Sequence, residues 1–181
     1  LHQGQPQPMI VSGDATRVAS ETDGGRLTLS IGAPGPLAAG LVIDVWTPLW
    51  RTVKVTGAAT ITCTNALTAI DLSIGLSGTA KADLDLVGSG LTTSIRGSSE
   101  ARLRGKVDYH EVRTGGASRL DARSLLTQET SLTAAGTSDA TVFARGRLDL
   151  RNEGTGELLY LGTPLELTTD GDGIRRTDEG Q

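Results

Sequence analysis

Carboxylates are the residues of this chain best suited to chemistry: Asp71, Asp83, Asp85, Asp108, Asp121, Asp139 and Asp149 recur along it. Gathered on one groove they could hydrolyse a glycosidic bond, hold calcium through several oxygens or, with Lys or Arg as base, support a polysaccharide lyase. They occupy different positions in the alternating pattern described below, and the segments between predicted strands are short. They are therefore expected to stay apart as solvated surface charges. His2 and His110 have no neighbours that would complete a triad or a metal pair, so both are expected in surface or turn roles. Asp170-Gly171-Asp172-Gly173 opens like a calcium loop but lacks the third ligand and the flanking helices. Trp46 and Trp50 could stack on sugars, although an aromatic beside a buried strand more commonly seals the end of a core. Cys63 stands alone, which excludes an internal disulfide and a multi-cysteine zinc site; it is expected as a small buried residue. No glycine cluster leads into Gly-Lys-Ser/Thr, so a phosphate loop is excluded. The sequence thus assigns no catalytic residue, no metal and no cofactor.

The elements that must position these side chains follow from an internal repeat. At every second residue one unit reads Val53, Val55, Gly57, Ala59, Ile61, Cys63, and another reads Thr93, Ile95, Gly97, Ser99, Ala101, Leu103. Between these apolar or small positions lie Lys81, Asp83, Glu100, Arg102, Arg104, Arg119 and Asp139. Such alternation marks strands with one buried face. Six units carry a glycine at the same place, Gly57, Gly78, Gly97, Gly116, Gly136 and Gly154, and the interval between them is nearly constant. Antiparallel hairpins would instead show closely spaced Asn-Gly or Asp-Gly turns between dissimilar strands. Here the flanks of each glycine resemble those of the next, as in a stack where each unit is one coil. The expected fold is all-β, a parallel β-helix of about six coils, roughly 30 Å long at the strand spacing of about 4.8 Å. Its glycine column is expected where a flattened coil turns a corner and its backbone approaches the opposite wall.

Composition agrees with this reading. Of 181 residues, 24 are glycine, about twice the usual share of ~7 %, which disfavours helices. With two Trp, two Tyr and one Phe, the core must be built from small aliphatic side chains. The formal net charge is −4 and the basic residues are scattered, which argues against nucleic acid. No apolar run reaches the ~18 residues of a membrane span. Residues 1–49 depart from the repeat and read as an N-terminal β cap, with strands expected at Met9 to Val11, Leu27 to Ile31 and Leu41 to Trp46. Residues 50–169 are assigned to the coils and 170–181 to a flexible tail. No signal peptide is read at Leu1.

Three features together resemble a known bacterial family, the autotransporter-adhesin head domain, also called the head GIN domain. They are the extended segment Leu41-Val42-Ile43-Asp44-Val45-Trp46-Thr47-Pro48-Leu49, the recurring blocks Gly57-Ala58-Ala59, Gly97-Ser98-Ser99-Glu100 and Gly136-Thr137-Ser138-Asp139, and the closing Leu159-Tyr160-Leu161-Gly162-Thr163-Pro164. The resemblance covers about residues 9–167. It implies a right-handed β-helix of pectin-lyase-like shape, export or surface association, a role in cell adhesion and no established catalytic residues. The chain departs from the family's Gly-Ser-Gly-Asp blocks at Ser99-Glu100 and Ser118-Arg119, which argues against a ligand bound along a uniform Asp ladder.

Two functions follow as expectations. One is a non-enzymatic module of the cell envelope that binds glycans, cell-surface or matrix proteins, or a second copy of itself, through its lateral faces. The other is a carbohydrate-active β-helix, a lyase, hydrolase or glycan-binding module with a shallow groove.

Overall fold

The computed structural model describes residues 1–12, 18–23, 26–31 and 42–178. Beyond the N-terminal segment the chain winds into a parallel β-helix of about seven turns. Each turn contributes a segment to each of two walls. The first wall stacks β7 (Thr52–Gly57), β9 (Leu67–Gly78), β10 (Lys81–Ile95), β11 (Glu100–Thr114), β12 (Arg119–Ala134), β14 (Arg147–Asn152) and β16 (Glu166–Asp170). The second stacks β8 (Thr60–Thr62), the N-terminal halves of β10, β11 and β12, then β13 (Asp139–Phe143), β15 (Leu158–Leu161) and β17 (Ile174–Arg176). Every pairing between successive turns is parallel, which a β-helix requires and a hairpin sandwich forbids.

Alternation sorts side chains between interior and solvent. One inward column of the first wall runs Val53, Ile74, Thr93, Val112, Leu132, Leu150 through register partners, and one of the second runs Ile61, Ala82, Ala101, Leu120, Ala140, Leu158, Ile174. Ala and Leu dominate the fully buried set, which includes Leu84, Ile95, Ala101, Leu103 and Leu148. Small residues on one wall facing larger ones on the other keep the interior narrow and filled.

The anchor glycines stand on one another at the turn between the walls. A Cβ built on Gly97 would lie 2.7 Å from the Gly78 carbonyl oxygen, one on Gly116 2.7 Å from that of Gly97, and one on Gly136 2.6 Å from that of Gly116. The backbone they approach is therefore the neighbouring turn, not the opposite wall expected from the sequence. Gly57, Gly78, Gly97, Gly116 and Gly136 also have φ between 74° and 86°, the left-handed region that disfavours a Cβ. Through the same turn, Ser98 N–H donates to the Gly78 carbonyl, Ala117 N–H to Gly97 and Thr137 N–H to Gly116, each at 2.8 Å. Gly154 differs: its φ is not positive, and the constraint is purely steric, with a built Cβ 2.1 Å from the Gly136 oxygen.

The coil count and the two ends need correction. The seventh turn runs from the end of the range assigned to the coils, residues 166–169, into the segment read as a tail. Glu166–Asp170 pairs with β14 and Ile174–Arg176 with β15. Its short reversal uses Gly171 (φ 95°) and Gly173 (φ 74°), and the Asn152 amide nitrogen donates to the carbonyls of Gly156 (2.8 Å) and Asp172 (2.6 Å) across it. The Asp-Gly-Asp-Gly stretch is a coil corner, not a calcium loop. At the other end, β1 (His2–Gln3) pairs in parallel with β6 (Trp46–Thr47), and the Leu1 carbonyl accepts from Thr64 N–H at 3.1 Å. Strand β2 (Ile10–Ser12) pairs antiparallel with β5 (Val42–Asp44), and β3 (Val18–Asp23) with β4 (Arg26–Ile31). Leu41, Gly24-Gly25, Gly32 to Pro36 and the last three positions of the expected tail lie outside the described residues.

Candidate functional site

Rung-to-rung register decides what the outward side chains can do. On the second wall one outward column reads Lys81, Glu100, Arg119, Asp139, and the next reads Asp83, Arg102, Asp121. Sign alternates at each step, so stacked neighbours attract where like charges would repel. Ion pairs join Lys81 to Glu100 (3.6 Å), Arg119 to Asp139 (3.5 Å), Arg102 to Asp121 (3.9 Å), Arg104 to Asp83 (2.7 Å) and Arg123 to Asp121 (2.9 Å). All are largely solvent-exposed pairs, each worth about 0–1 kcal/mol. They fix register and neutralise the wall more than they stabilise it. On this wall Asp83, Asp121 and Asp139 are thus dispersed among basic partners. Among the described residues no group of three or more His, Cys, Asp or Glu gathers to hold a metal.

The first wall carries a dip with mixed chemistry. Its outward column Gly90, Tyr109, Glu129, Arg147, Glu166 runs beside Glu111, Ser131, Asp149, Thr168. Tyr109 pairs in register with Glu129 and Glu129 with Arg147, so the second of these coils is the shorter. Where the coil shortens, the extended chain is interrupted between β13 and β14, and the N–H groups of Arg145 and Gly146 donate to the Thr127 (3.1 Å) and Gln128 (2.8 Å) carbonyls. Beside it lies an open recess of about 280 Å³, lined by Tyr109, Glu129, Thr130, Ser131, Arg147 and Asp149. The Arg147 Nε donates to Asp149 Oδ2 at 2.9 Å. That hydrogen bond, followed by the charges of Asp149, Glu166 and Glu129, holds the guanidinium even more firmly protonated than usual. Tyr109 keeps 43 % of its surface exposed. Nothing in the repeat template singled out this position; the shortened interval between Gly136 and Gly154 was the available signal.

The histidines are where the sequence misled most. His110 is not at the surface: it points inward, fully buried, between Leu91 and Thr130 in register, with Nε2 3.0 Å from Thr93 Oγ1. Burial pushes its pKa down to about 3, so it is neutral. His2 also has partners. Its Nε2 lies 2.7 Å from Asp44 Oδ1, its Nδ1 2.7 Å from Thr64 Oγ1, and its ring stacks on Trp46 with centroids 4.3 Å apart. A hydroxyl, imidazole and carboxylate in line invite comparison with a nucleophilic triad. The Thr64 N–H, the natural donor for an oxyanion at that hydroxyl, is already committed to the Leu1 carbonyl. The group clamps the N-terminal strand to the first coil. Trp50 packs against the core, and Cys63 is half-buried, its Sγ accepting from Asp85 N–H at 3.1 Å.

The family model described as "Putative auto-transporter adhesin, head GIN domain" matches residues 1–164. The chain belongs to this head GIN domain family. No curated protein sequence matches it. Its fold is similar to a crystal structure described as a "putative adhesin" from Bacteroides fragilis, with TM-score 0.89 and 20 % identity over 97 % of this chain and 85 % of that one. It is also similar to a "putative adhesin" from Parabacteroides merdae (TM-score 0.72, 17 % identity, 98 % and 86 % covered). A "Putative lipid binding protein" from Parabacteroides distasonis shares the fold as well (TM-score 0.68, 17 % identity, 98 % and 87 % covered). At these identities the likeness establishes the fold, and the family match establishes membership in a family described as adhesin-like. No helix of the described residues is long and apolar enough to cross a membrane.

Proposed function

We propose that this head GIN domain is a non-enzymatic, exported module of the bacterial envelope that adheres to glycans or surface proteins through its lateral walls. The observation that carries this reading is the alternating charge lattice of the second wall. Each carboxylate on Asp83, Glu100, Asp121 and Asp139 faces a Lys or Arg of an adjacent rung or strand position. A catalytic carboxylate pair needs convergence across a cleft and separated pKa values. A paired, flat, near-neutral wall instead presents a broad surface for many weak contacts. The adhesin-like family points the same way. The test is retention of the protein on surfaces coated with polysaccharides or matrix proteins, followed by sizing of the recovered ligand. Saturable retention with ligand of unchanged length supports the reading; shortening of any polysaccharide above the blank contradicts it.

A further inference from the structure

We propose that the recess of the first wall is a binding site for a neutral hexose unit, with Tyr109 as stacking platform and Glu129, Asp149, Ser131 and Arg147 as hydrogen-bonding partners. This rests on the adhesive reading above and names its ligand class and site. The recess is built by the fold: Ser131 is the short side chain between the longer Glu111 and Asp149, which are its register neighbours. At about 280 Å³ it lies just under the ~300 Å³ lower end of small-molecule sites, room for one ring with its neighbours extending into solvent.

The chemistry selects the ligand. Tyr109, 43 % exposed, offers an aromatic plane to the C–H face of a sugar, and on the next rung Asp71 Oδ1 fills the place of the side chain that Gly90 lacks. Glu129 is exposed and its carboxylate makes no hydrogen bond or ion pair among the described residues, while Asp149 spends one oxygen on Arg147. Carboxylates accept from hydroxyls, the guanidinium donates to them and Ser131 does either, which matches a group whose hydroxyls both give and receive. The lining holds two carboxylates against one guanidinium, so an anionic sugar meets net negative charge. A lysine-rich peptide meets Arg147 at the centre.

The test is a glycan array probed with the full chain, its Tyr109→Ala and Glu129→Gln variants, and Arg96→Ala, an exposed position at a coil corner, as control. Thermal melts establish that the variants fold. Neutral hexose glycans are expected to bind, with affinity falling about tenfold in Tyr109→Ala, less in Glu129→Gln, and unchanged in Arg96→Ala. Binding only of acidic glycans, preference for a lysine-rich peptide, or neutral binding indifferent to Tyr109→Ala overturns the site. Each of those outcomes leaves lateral adhesion standing, whereas loss of retention on every coated surface removes both.

Discussion

Adjacent glycines at the same turn offer a paired test of the stacking. Gly116 has φ 81° and a built Cβ meets the Gly97 oxygen at 2.7 Å and nitrogen at 3.1 Å; Gly115 has no positive φ and nothing within 4 Å. Gly116→Ala must place an L-residue in the left-handed region, at about 1–2 kcal/mol. It must also push apart two turns joined by the Ala117 N–H to Gly97 carbonyl bond of 2.8 Å, an overpacking cost of about 1–3 kcal/mol. Loss of unfolded-state freedom returns up to ~1 kcal/mol, leaving a net destabilisation of about 3 kcal/mol. For a chain of this size that lowers the melting temperature by roughly 6–12 °C. Gly115→Ala is expected to lie within about 1 kcal/mol of wild type, on the stabilising side. Circular dichroism melts of the two variants side by side decide the matter. Equal melting temperatures would refute the contact between turns as the reason for glycine.

Two further outcomes follow from groups the sequence underrated. His110 has a folded pKa of about 3 against an unfolded value near 6.5, so the unfolded chain takes up a proton that the folded chain refuses. Its contribution is intact above pH 6.5 and is lost as pH falls from there toward 3, by about 2 kcal/mol at pH 5; urea melts of His110→Leu should lack that component, and an unchanged pH slope would contradict the buried neutral assignment. Asn152→Ala removes the side-chain bonds to Gly156 and Asp172 and should speed hydrogen exchange at Ile174–Arg176 about tenfold or more. Exchange there as slow as in wild type would show that the last turn is held by its backbone pairing alone.

The repeat was legible because alternation and period act at every rung. Val53, Ile74 and Thr93 occupy one register column as the every-second-residue pattern placed them. The seventh turn was hidden because its glycines, Gly171 and Gly173, sit among charges, and its paired strands include Thr169 and Arg176 where earlier rungs carry apolar residues. Gly171, which composition makes look dispensable, has φ 95° and a built Cβ 2.1 Å from the Asn152 oxygen. His110 fell at an inward position of the alternation, yet its charged neighbours Asp108 and Glu111 suggested solvent. What makes it tolerable inside is the Thr93 hydroxyl on the adjacent rung, a partner that only the register between β10 and β11 brings within reach. The recess was illegible for a related reason. Tyr109, Glu129 and Arg147 are far apart in sequence, and only the unequal lengths of two successive coils bring them side by side.

Retention on a polysaccharide-coated surface, with the eluted polysaccharide sized against untreated material, tests the adhesive account most directly. Saturable retention of the protein with polysaccharide of unchanged length is the predicted result. Depolymerisation of the coat, or no retention on any polysaccharide or matrix protein, would contradict it.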